Sequence, residues 1–115
     1  IEEDLRPMDH NVFDYQVQRL TPKQLREAPN ALSDWVRGHG FKQVAVHFDL
    51  DALLPTAFRS IYPAEPGTDP ADFPATVGQL TLPEVANLLT QLDQNAELVG
   101  LTVAEHMAWD ALNLR

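Results

Sequence analysis

Two aspartates one residue apart, Asp49 and Asp51, close the apolar run Val44-Ala45-Val46-His47-Phe48. Branched and aromatic residues without Pro or Gly read as a buried strand. In a parallel α/β sheet, ligands gather just past the carboxyl ends of the strands. With only Leu50 between them, both acids can face the crevice where that strand opens. Neighbouring carboxylates repel and are costly to bury unless a cation compensates them. A hard divalent metal, which takes oxygen ligands, is the natural partner. Asp49 and Asp51 are therefore the candidate metal ligands.

A second apolar run, Leu98-Val99-Gly100-Leu101-Thr102-Val103-Ala104, also ends in an acid, Glu105, followed by His106. Two parallel strands with acids off their carboxyl ends would put those acids on one edge of the sheet. His47 reads either as a group supporting the ligands from behind or as a hydrogen-bonded core histidine. His106 reads as a pocket or a rim residue. His10 and His39 read as surface residues.

These groups need elements to position them. Thr21-Pro22-Lys23-Gln24 has the spacing of a helix cap, and Pro29 limits that helix to about two turns. Asn30 can cap a second helix with an apolar stripe at Leu32, Trp35 and Val36, ended by Gly38 or Gly40. Thr81 and Glu84 form a capping box ahead of Val85, Leu88, Leu89 and Leu92, a strong amphipathic helix. Helices feeding apolar strands give the rhythm of a parallel sheet. Val12 to Leu20 alternates apolar and polar residues, as a short strand does. Trp109, Leu112 and Leu114 suggest a last helix with Asp110 near its start. Between Ala52 and Gln79 lies a Pro-rich stretch without periodicity. It reads as a long loop walling the acids or as an insertion.

Composition bounds the function. The chain has 115 residues, 44% of them hydrophobic, enough for one domain with a core or part of one. A formal charge of −9 argues against nucleic acid and anionic membrane as partners. The absence of Cys excludes disulfides and thiolate sites, and fits a cytoplasmic location. No apolar run approaches membrane-spanning length. The acidic segment Ile1 to Asn11 reads as a solvated terminus. A start at Ile1 rather than Met, and an end at Arg115 within the first turns of an expected helix, read as a piece of a longer protein.

Phe48-Asp49-Leu50-Asp51, Leu54-Pro55, Pro66-Gly67-Thr68, Gly78-Gln79-Leu80-Thr81 with Glu84, and Gly100-Leu101 leading to Glu105 occur in one order. That order resembles the carboxyl-terminal half of the arginase/agmatinase (ureohydrolase) family over residues 43–105. The resemblance implies that residues 1–115 are the carboxyl-terminal part of a single arginase-like domain. Its fold is α/β, a three-layer α/β/α sandwich around a parallel sheet. The implied activity is Mn²⁺-dependent hydrolysis of a guanidino C–N bond, with two Mn²⁺ per intact site, in a homo-oligomer. Asp49 would bridge both metals, Asp51 would bind one, and Glu105 would meet the guanidinium. Thr81, with His47 and His106, is a candidate for the surrounding pocket. The chain departs from the family pattern at His47, Leu54, Gln79 and Thr102, where the family has Ser, Asp, Gly and Asp. The family's remaining ligands and catalytic residues belong to an amino-terminal half that residues 1–42 do not match, so these 115 residues are expected to be inactive alone. Phe-Asp-Leu-Asp also resembles the opening of haloacid-dehalogenase-like phosphatases, without the Gly-Thr that follows there or any Lys downstream. A non-catalytic relative with the arginase fold is the other alternative.

Overall fold

A computed structural model describes residues 17–109. It is a mixed α/β structure in the order α1 (Pro22–Glu27), α2 (Ala31–His39), β1 (Gln43–Asp49), α3 (Leu82–Asn95) and β2 (Glu97–Ala104). Among the described residues the sheet has two strands, β1 and β2, paired in parallel. No described helix is long and apolar enough to cross a membrane. The acidic amino-terminal segment, the first part of the alternating segment and the expected last helix beyond Trp109 lie outside the described residues. The rest of the alternating segment, Val17 to Leu20, is irregular rather than a strand.

Local chemistry sets the helix boundaries. Thr21 and Gln24 form a reciprocal capping box, and α1 ends at Ala28 ahead of Pro29. Asn30 starts α2 without a side-chain cap; the Ser33 hydroxyl donates to its carbonyl instead. Gly40, with φ of 68°, closes α2 in the left-handed conformation that glycine adopts at little cost. Thr81 and Glu84 cap α3 reciprocally. The two longer helices pack together. Gln91 Nε2 donates to the Pro29 carbonyl at 2.7 Å, and Arg37 reaches Asn95 at 3.3 Å.

The strands are less buried than their sequence predicts. On β1, half-buried Val44, Val46 and Phe48 alternate with exposed Gln43, Ala45 and His47. A register shift between Val44 and Ala45 sets Val46 beside Leu101 and Phe48 beside Val103. These four side chains therefore share a face. Phe48 packs against the core, but Leu101 and Val103 remain 47% and 56% exposed, and Val99 54%. A continuous apolar run reports apolar faces; it does not report whether each face is covered.

The long loop turns out to supply much of the core. Fully buried Leu53 and Ile61 cluster with Leu50, Ala64 and Val85, and Phe48, Phe58, Leu80 and Leu89 pack around them. Pro55 is also buried. Short 3₁₀ turns at Leu50–Ala52, Tyr62–Ala64 and Pro70–Asp72 order the segment. The segment is ordered and packed into the core rather than loose.

Candidate functional site

β1 ends at Asp49, and the chain turns at once into the 3₁₀ turn Leu50–Ala52. Asp51 therefore stands on the turn and not on the strand, which corrects the expectation of two acids leaving one strand. Asp49 caps the turn: its Oδ1 accepts the Asp51 N–H at 2.8 Å. Asp residues commonly bond their own backbone two residues on.

The register sets Asp49 beside Ala104, so Glu105 leaves β2 at the same edge of the sheet. Glu105 has φ of 64°, the one non-glycine positive φ among the described residues. Such a backbone costs of order 1–3 kcal/mol and is often found at functional positions. Asp51 lies close enough to both Asp49 and Glu105 for their charges to act on it. Burial, then repulsion from Asp49 and from Glu105, raises its pKa, and the Tyr62 backbone N–H opposes that rise. Asp51 Oδ1 is buried and accepts no hydrogen bond. The structure thus sets the three acids singled out from sequence at one edge of the sheet, near enough for their charges to act on Asp51.

The Pro-rich loop and the segment after β2 are tied together beside this edge. Met107 N–H donates to the Ser60 carbonyl at 2.8 Å, and Trp109 Nε1 to the Ile61 carbonyl at 2.7 Å. Beyond Tyr62 the loop forms an open pocket of about 390 Å³ lined by Tyr62, Glu65, Thr68, Asp69, Asp72 and Phe73. Tyr62 and Phe73 meet edge to face at 5.4 Å. Tyr62 connects the pocket to the acids, since its N–H faces Asp51.

Three other sequence candidates sit differently. His47 is not in the core. It is exposed on the open face of the sheet, where its Nδ1 meets Thr102 Oγ1 at 2.7 Å. Thr81 is engaged in capping α3: its Oγ1 accepts the Glu84 N–H, and its own N–H donates to Glu84. His106 is exposed beside Glu105. Among the described residues, no three His, Asp or Glu side chains converge as a metal-holding group.

Two contributors escaped the sequence reading. Arg26 donates from Nε and Nη2 to Glu84 at 2.8 and 3.0 Å, and from Nη2 to the Gln79 carbonyl at 2.5 Å. Nothing local marks it, because its partners lie more than fifty residues away. Gly78 is buried against the Asp51–Ala52 turn. Its place in Gly-Gln-Leu-Thr hinted at a constraint without naming the neighbour.

No protein-family model matches this chain, and no curated protein is significantly similar to it.

Proposed function

We propose that this chain contributes the carboxylate edge of a Mn²⁺-dependent hydrolase acting on a guanidino C–N bond, within a larger ureohydrolase-type α/β/α domain. One observation carries the reading. Asp49, Asp51 and Glu105 gather at the carboxyl ends of two parallel strands, and Asp51 Oδ1 is buried there without a hydrogen-bond donor. A buried carboxylate oxygen repelled by two other acids calls for a cation. The all-oxygen donor set suits a hard divalent metal.

Asp51 would offer its unpaired oxygen to the metal, and Asp49 the oxygen that does not hold the turn. Two carboxylates leave most of the coordination shell to residues elsewhere in the intact protein. When bound, a Mn²⁺ pair supplies a water nucleophile active near neutral pH. Glu105 would meet the planar guanidinium, which a carboxylate can bind through two parallel hydrogen bonds. The acidic, aromatic-lined pocket beyond Tyr62 favours a cationic substrate over an anionic one.

The test is urea release by the intact protein loaded with Mn²⁺, over arginine, agmatine and guanidinobutyrate, with formamide followed for formiminoglutamate. Activity lost in Asp49→Asn supports the reading. Silence across the panel, with no stoichiometric Mn²⁺ bound, refutes it. A second reading, a non-catalytic protein with the same fold, draws on the departures from the family pattern at His47, Leu54, Gln79 and Thr102. The same titration separates the two.

A further inference from the structure

Gly78 does not have a positive φ; those of the described glycines are at Gly40 and Gly67. Its need for glycine is steric. A Cβ at residue 78 would overlap the Asp51 carbonyl oxygen and the carbonyl group of Ala52, which are backbone atoms that cannot swing aside. Gly38, by contrast, has open space where a Cβ would go. Close approach of two backbones is a recurrent use of glycine.

The residues after Gly78 extend this contact. The Leu80 N–H donates to the Ala52 carbonyl at 3.1 Å, and the Leu80 carbonyl accepts the Leu54 N–H at 2.8 Å. Leu53 and Leu80 thereby form an isolated parallel bridge. Arg26 grips the same segment through the Gln79 carbonyl, and is itself held by Glu84. The turn carrying Asp51 has little of its own to hold it. It has the bond from Asp51 N–H to Asp49 and one backbone bond from Leu53 N–H to the Leu50 carbonyl at 3.0 Å. A single 3₁₀ turn is a weak structure by itself.

We infer that Gly78 is a positioning residue for the Asp49–Asp51 pair: lacking a side chain, it seats segment 78–80 on the Asp51–Ala52 peptide and fixes how the turn presents the Asp51 carboxylate. That the held pair takes a cation rests on the proposed function; the seating itself does not.

The experiment measures amide hydrogen exchange and Mn²⁺ affinity in the intact protein, comparing wild type, Gly78→Ala and Gly38→Ala. In Gly78→Ala the Asp51 amide exchanges at least tenfold faster while Val46 and Leu101 in the sheet keep their rates. Mn²⁺ binding weakens by a similar factor. Gly38→Ala changes neither. An unchanged Asp51 rate overturns the inference, and so does a uniform rise at all amides, which would mark general loosening. Wild type that binds no Mn²⁺ refutes the metal reading and leaves the exchange rates to decide on Gly78. If Gly78→Ala does not fold, Arg26→Met frees the Gln79 carbonyl without adding an atom at the turn. Faster Asp51 exchange is then expected, and an unchanged rate overturns the inference.

Discussion

The Asp49 carboxylate accepts the Asp51 N–H at 2.8 Å, so one acid of the pair fixes the backbone of the other. Asp49 therefore has a structural role separable from its charge. Asn keeps the acceptor oxygen and Ala does not. Asp49→Asn is expected to hold the wild-type unfolding midpoint while losing Mn²⁺ affinity. Asp49→Ala should lose both, with a stability cost of about 1 kcal/mol, the scale of a lost side-chain cap. Urea unfolding beside a Mn²⁺ titration separates the two effects.

Asp51 gives the opposite trade. Burial and the charges of Asp49 and Glu105 raise its pKa above the ordinary 3.8. The folded state thus binds this proton more tightly than the unfolded state does. Stability falls as pH rises through that range, and the penalty is complete above the folded-state pKa. Asp51→Asn removes the charge, so it should raise the thermal midpoint at pH 7 and make no difference below about pH 3. Gained stability with lost Mn²⁺ affinity is the pattern of a site held for function. A variant destabilised at pH 7 would contradict this account.

Local spacing made much of this fold legible. Both capping boxes were readable because Thr21 and Gln24, and Thr81 and Glu84, are three residues apart. The site acids were readable because strand ends are visible in an apolar run. What escaped depends on distance or coverage. Asp51 falls on a turn because the Asp49 side chain ends the strand, a choice that periodicity does not record. Leu53, Pro55 and Ile61 form core from a stretch without period, since 3₁₀ turns and coil bury side chains at irregular intervals. His47 was read either as a support behind the ligands or as a core histidine, but it is exposed on the open face it shares with Ala45. Thr81 was a pocket candidate, yet its hydrogen-bonding groups serve the helix cap.

The Pro-rich loop is testable as core. Ile61 is fully buried among Leu50, Leu53, Ala64 and Val85. Ile61→Ala should cost about 3 kcal/mol, within the range for deleting a buried aliphatic side chain. A change under about 0.5 kcal/mol would mean that the loop does not pack this way. Exposed Arg59 in the same loop serves as the control, with Arg59→Ala close to neutral.

Arg26 and Glu84 predict an acid limb of stability. The hydrogen bond from Arg26, with that from the Thr81 backbone, lowers the Glu84 pKa from 4.5 to about 2. A depressed carboxyl stabilises the folded state above its ordinary pKa and loses that contribution as pH falls from about 4.5 towards 2. Both side chains are partly exposed, so solvent screening keeps the contribution of the pair small. Glu84→Gln should flatten the stability profile in that window and leave the difference between pH 6 and pH 8 unchanged. An unaltered acid limb would show that Glu84 is not the group titrating there.

The uncovered apolar surface of β2 predicts association. From Leu98 to Ala104 the strand carries no charged residue, and Val99, Leu101 and Val103 are about half exposed. Sheet edges are ordinarily protected by charge, proline or a covering element, because an open edge templates further pairing. With the described sheet limited to two strands, β2 has a free edge. Light scattering of the 115-residue chain should therefore show mass rising with concentration. Leu101→Lys puts a charge on that surface without entering the buried cluster, so it should lower the apparent mass towards the monomer and leave the thermal midpoint within a few degrees. Wild type that stays monomeric over a hundredfold range of concentration would contradict this account.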